Sequence, residues 1–268
     1  MRTGIPAMVF AMGLALSAQA PAGGIQINAD HCGFDTSYDV QARPDGIAFV
    51  RADGHPGRVF MHDGQLRIDG RRVDLGAEDA TRLRQYEQDV RALLPEMADV
   101  AQQALGIAFD SLTTVAATFG SNADDRDALV KRLRQIHREA LVKLDNGISS
   151  DHWNEHGFED AIETQVENAA NELASSVSGS VLASLVTGKT SELEARANSL
   201  DSSIDKEMTM RSGKLEARAK MLCPRLAELE QLQQQLDFRL ADGSRLQLLT
   251  REHDGRHRRD ADQQVTRR

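Results

Sequence analysis

Two Asp-Gly pairs, Asp63-Gly64 and Asp69-Gly70, stand between short runs of alternating polarity and lead straight into a long amphipathic segment. A two-residue hairpin turn of type I′ needs positive φ at both central positions, and Asp-Gly tolerates that well. Three antiparallel strands are therefore predicted, at about 58–62, 65–68 and 71–75. Val59 and Met61 alternate with Phe60, and Leu66 and Ile68 alternate with Arg67, so one face of the ribbon is apolar and needs a cover. The helix beginning near Glu78 supplies it, because Leu83, Tyr86, Val90, Leu93, Leu94 and Met97 recur at three- and four-residue spacings. Pro95 is expected to kink that helix or restart it.

Upstream, further strands are expected at 25–28, 38–42 and 47–51, punctuated by Pro44-Asp45-Gly46 and the turn from Gly54 to Gly57. Downstream of Pro95 the pattern is helical almost to residue 240. One helix carries Val100, Ala104, Leu105, Ala108, Leu112, Val115 and Phe119 and breaks at Gly120-Ser121-Asn122. The next carries Leu129, Leu133, Ile136, Ala140, Leu141 and Leu144 and ends at Asn146-Gly147. After a polar joint at 149–157, a helix over about 158–186 shows a ridge of small residues at Ser175, Gly179 and Ala183. From Glu192 to Leu240, Met208, Leu215, Leu222, Leu229 and Leu236 are spaced by seven, with Leu226 and Leu240 as a second seam. This coiled-coil-like stripe needs a partner, either an earlier helix or a second copy of the chain. The expected fold is α+β: a small antiparallel β-meander over 23–76 packed on an elongated, mostly α-helical bundle over 77–245. Residues 246–268 read as a disordered basic tail.

Residues 1–22 read as a cleaved secretory signal peptide, with Arg2 before an apolar run from Ile5 to Leu16 and small residues at Ala18, Ala20 and Ala22. No second apolar segment of about 18 residues follows, so the expected location is the periplasm, with membrane contact disfavoured. In an oxidising compartment the only two cysteines, Cys32 and Cys223, are expected to pair; unpaired thiols or an exposed redox pair are the alternatives. A net charge of −9 disfavours a nucleic-acid partner, and an aromatic content of 4% suits long helices packed through Leu, Ala and Val.

The segments DGQLRIDGRRVDL and LRQYEQDVRALLP, an early cysteine after a signal peptide and a late cysteine after a long helical region together resemble the YggN-like family. That family comprises periplasmic proteins of unknown function from gamma-proteobacteria. The most specific part is the Asp69-Gly70 turn followed by Tyr86, Leu93, Leu94 and Pro95. The resemblance implies a location and an architecture; it brings no activity, cofactor or catalytic residue.

The sharpest chemical motif is His152-Trp153-Asn154-Glu155-His156, an H-x-x-E-H pattern in which two imidazoles one helical turn apart would hold zinc beside a glutamate base. A catalytic zinc also needs a third protein ligand, and Glu159, Asp160 and Glu163 are only nearby acids. The plainer reading makes this stretch a helix start capped by Ser150 or Asp151, with His152 and His156 solvated. Gly188-Lys189-Thr190 lacks the earlier glycine of a phosphate loop, Ser178-Gly179-Ser180 is no nucleophile elbow, and His253 and His257 lie in the tail. No cofactor is expected. The sequence thus points to a non-catalytic binding or envelope-associated protein that acts through helical surfaces, with a protein partner or a homo-oligomer formed through the last helix. A zinc-dependent hydrolase at 152–156 and a peripheral membrane protein using the 166–186 helix are the alternatives.

Overall fold

The structure, a computed structural model, describes the backbone of residues 32–119, 122–154, 157, 164–187 and 190–251. The signal-peptide segment, the strand expected at 25–28 and the tail beyond Arg251 lie outside the described residues. The fold is α+β. Six strands, β1 (Phe34–Asp35), β2 (Asp39–Arg43), β3 (Gly46–Val50), β4 (Arg58–His62), β5 (Gln65–Ile68) and β6 (Arg71–Val73), precede helices α1 (Ala77–Phe119) and α2 (Ala123–Gly147). Then come β7 (His152–Trp153), α3 (Gln165–Thr187), α4 (Thr190–Gln234) and β8 (Thr250–Arg251).

The main sheet is antiparallel in the order β6-β5-β4-β3-β2-β7, and β1 pairs with β8 in a separate two-stranded ribbon. Both Asp-Gly turns have the expected backbone, with φ of 45° and 76° at Asp63 and Gly64 and 48° and 80° at Asp69 and Gly70. Ile47, Val59, Met61 and Leu66 are fully buried on the inner face, where Leu83, Tyr86, Val90, Leu93 and Leu94 of α1 meet them. Helix α1 does not restart at Pro95. The carbonyl of Arg91 loses its amide partner there, while burial of α1 on both sides of the proline keeps the helix continuous.

Beyond the sheet, α1 builds a second core with α2 and α3, where Ala101, Leu105 and Phe109 pack on Leu129, Leu133, Ala140, Leu144, Ala169 and Leu173. Asn122 caps α2 by accepting the Asp125 amide at 2.9 Å, as its position before the acidic first turn predicts. On its other side α1 receives α4 antiparallel, so the seven-residue stripe finds its partner within the chain. Leu215, Leu222 and Leu229 are buried there, and Arg211, Arg218 and Arg225, also seven apart, reach Asp110 (2.8 Å), Asp99 (2.5 Å) and Glu96 (2.6 Å).

Two sequence expectations are corrected. Helix α4 stops at Gln234, so Leu236 and Leu240 leave the helical stripe, although Leu236 remains buried. The disordered tail does not begin at 246: Leu246, Leu248 and Leu249 are buried and Thr250–Arg251 forms β8. A short apolar run without periodicity hid this, because its partners are Phe34 and Gln233 rather than sequence neighbours.

Gly46 opens β3 at φ +147°, and a Cβ there would lie 2.5 Å from the Met61 carbonyl oxygen and 2.5 Å from the Phe60 ring. The carbonyl belongs to a paired strand and cannot yield. Gly46→Ala should therefore destabilise the fold by roughly 2–4 kcal/mol in urea unfolding. Gly70→Ala, where the added methyl meets open space, should cost about 1 kcal/mol; equal midpoints for the two variants would contradict this account.

Candidate functional site

Buried charged groups are the first places to look for chemistry, and three of them are committed to structure. Glu87 faces the first hairpin turn from α1, accepts the Asp63 amide at 2.9 Å and pairs with Arg91 at 2.8 Å and His62 at 3.4 Å. Burial raises its pKa, but Arg91, the Asp63 amide and His62 together outweigh burial and hold the carboxyl below the ordinary range. Asp79, in the first turn of α1, accepts the amides of Asp237 (3.0 Å) and Phe238 (3.0 Å) and binds Arg82 at 3.0 Å. Burial opposes ionisation here too, and the two amides and Arg82 again prevail, so Asp79 stays charged. This capture draws the chain out of the helical path after Gln234. Glu230 is held by Arg251 at 2.9 Å, and Arg251 also lies 5.1 Å over the Phe34 ring.

Buried Gln233 behaves like a piece of backbone. Its Oε1 accepts the amides of Leu248 (2.5 Å) and Leu249 (3.0 Å), and its Nε2 donates to the Leu249 carbonyl at 2.8 Å. Sequence reasoning missed Asp79, Glu87, Glu230 and Gln233. Each is a polar residue on a helix whose partner lies far along the chain or in a turn, and no local pattern marks it.

Cys32 and Cys223 lie at disulfide distance, with sulfurs 1.94 Å and Cα atoms 5.1 Å apart across 191 residues. The His152 region departs from both sequence readings. His152–Trp153 is strand β7, paired with Val40 and Gln41 of β2, so His152 stands on a strand and not on the helix that both the zinc pattern and a cap at Ser150 or Asp151 require; Glu155 and His156 lie outside the described residues. The reason is a tight turn after α2, in which the Asn154 amide donates to the Gly147 carbonyl at 2.6 Å and the Ala42 amide to the Asp151 carbonyl at 2.6 Å. His152 Nδ1 meets Ser149 Oγ at 2.7 Å and Asp151 Oδ1 at 3.1 Å, while Ser149 Oγ donates to the same carboxylate oxygen at 2.5 Å. A serine–histidine–aspartate relay needs the serine and the carboxylate on different ring nitrogens. Here both share Nδ1, and the trio is a turn clasp.

Among the described residues no three His, Cys, Asp or Glu side chains converge for a metal ion. Gly188 and Lys189 and the histidines of the tail lie outside the described residues, and so do the side chains of Ser178 and Ser180.

A cleft of about 690 Å³ lies between α2 and α3. Arg132, Ile136 and Glu139 form one wall, and Gln165, Asn168, Asn171, Glu172, Ser175 and Ser176 form the other. Gln165, the first residue of α3, is 5% exposed. The Ser175 hydroxyl donates to the Asn171 carbonyl at 2.9 Å.

The family model described as "Protein of unknown function (DUF2884)" matches residues 32–249. The match begins at the first cysteine and ends at the last buried leucine, so it takes in both cores and the segment after α4. No curated protein and no solved structure matches the chain.

Because Asp79 and Glu87 have lowered pKa values in the folded state, the stability they contribute is fully present above their unfolded values near 4 and is lost as pH falls through the folded values. Asp79→Asn should cost about 2–4 kcal/mol at pH 7, with the gap to the native chain shrinking toward pH 2; a gap that does not change with pH would refute it. Removing the cysteine pair with Cys32→Ala and Cys223→Ala together should lower stability by up to about 5 kcal/mol in the chain-entropy model, measured by urea unfolding of oxidised protein.

Proposed function

The chain belongs to this family of proteins of unknown function, and we propose that it is a secreted periplasmic protein that engages a protein of the cell envelope through its helical surfaces, without catalysis. A cysteine pair at disulfide distance is compatible with secretion. Among the described residues no helix is long and apolar enough to cross a membrane, which agrees with a partner met at a surface.

The observation that carries the reading is the outward side of α4. Met210 is 53% and Met221 69% exposed, although the seam of the same helix is buried on α1. At 100° per residue the two methionines lie within about 20° of each other round the helix, so they share one face. Methionine is flexible and polarisable, and it suits surfaces that adapt to a partner. The flanking positions Glu207, Lys214 and Arg218 are charged, which keeps this face soluble when unoccupied.

A photo-crosslinking amino acid in place of Met221 should capture one envelope protein reproducibly in living cells, while the same label at Arg72, on the far edge strand of the sheet, should not. Capture only of a second copy of the chain, or of nothing, would overturn the envelope-partner reading.

A further inference from the structure

We propose that the stacked pair Phe109–His137 is a pH-sensitive latch between α1 and α2, in which protonation of the imidazole loosens the second core. The two ring centroids lie 4.8 Å apart, and the planes are only 11° from parallel. Phe109 is 1% exposed, so the imidazole is part of what covers it. Leu133 and Leu141, one turn to either side of His137 on α2, belong to the same core.

One atom of the pair lacks a counterpart. Nε2 of His137 is sealed from solvent and has no hydrogen-bond partner among the described residues. Buried polar atoms are paired in the great majority of cases, and an exception calls for an explanation. A neutral imidazole tolerates this position: with its single proton on Nδ1, Nε2 is a bare acceptor. Protonation ends that tolerance, because both nitrogens of an imidazolium are donors. The new N–H lies in the imidazole plane, nearly parallel to the Phe109 ring, so it does not aim at the π face. It is left as a sealed donor that carries charge and meets no acceptor.

The charges around the ring do not offset this. Asp110 of α1 favours the imidazolium, but Arg211 of α4 holds that carboxylate at 2.8 Å. Arg138, the next residue of α2, opposes it. Helix α3 meets α2 along Arg132, Ile136 and Glu139, which lie about 100–160° round the helix from His137, so Glu172 of α3 faces the other side. Burial is the largest influence, and the imidazole is held below the ordinary histidine range. Because the folded value lies below the unfolded one near 6.5, the stability gained by keeping the ring neutral is complete above about pH 6.5 and is lost as pH falls toward the folded value. Acidification past neutrality is the range in which a histidine switch acts.

The test compares the full oxidised chain with His137→Phe, which keeps an aromatic ring against Phe109 and cannot titrate. Amide hydrogen exchange, read by mass spectrometry and corrected for the intrinsic pH dependence of exchange, reports opening of residues 123–147. Between about pH 7.5 and about pH 5 that opening should rise at least about fivefold in the native chain and stay unchanged in His137→Phe. Peptides from β4 and β5, which lie in the other core, should show no such rise. Asp110→Asn removes the charge that favours protonation and should move the onset of opening to lower pH. The same pH response in the native chain and His137→Phe, an equal rise in the sheet, or an onset that Asp110→Asn leaves in place overturns the latch.

Discussion

The amino-terminal half of α1 buries Leu83, Tyr86, Val90, Leu93 and Leu94 under the sheet, and its later half buries Ala101, Leu105 and Phe109 against α2 and α3. One helix therefore serves two cores, and α4 closes over it on a third side. A sheet of short strands with one apolar face is not stable alone, and neither is a pair of helices whose stripes face water. Because α1 crosses both cores without interruption at Pro95, disturbance of either is felt by the other. Trp153 and Met97 pack against both clusters at the point where they meet.

Around this spine the buried polar groups act as fasteners. Glu87 fixes the first hairpin turn to α1, Asp79 fixes the end of α4 to the start of α1, and Gln233 holds residues 248–249 as a strand would. Each carboxylate stays charged because amides and arginines more than offset its burial. These groups are all engaged in internal contacts, whereas the methionines on the exposed face of α4 are not buried in either core.

Much of this was legible from residue order. Asp63-Gly64 and Asp69-Gly70 announce their turns because few residues accept positive φ, and the stripes on α1, α2 and α4 announce buried faces because helical period and burial coincide. The same logic failed at β7 and β8. Two-residue strands such as His152–Trp153 and Thr250–Arg251 have no periodicity to read, and their existence depends on Val40, Gln41, Phe34 and Asp35 far earlier in the chain. At 152–156 a related limit applies: the spacing suggests a helix, but His152 and Trp153 pair with β2 as a strand. The cleft was invisible because its asparagines read as an ordinary solvated helix face until α2 is placed opposite them.

Strand β1 is near the amino end of the described chain, and its partner β8 is the last described element. The Thr36 hydroxyl donates to the Leu248 carbonyl, and Cys32 meets Cys223. Whatever delivers this polypeptide one residue at a time from its amino terminus, the first ribbon must wait, unmatched, until some 215 more residues have arrived. The β2–β6 hairpins and α1 close from near neighbours, whereas the seal over Phe34 needs Arg251 from the far end of the described chain. A truncation that removes only β8 would leave β1, at the opposite end of the described chain, without its pairing partner.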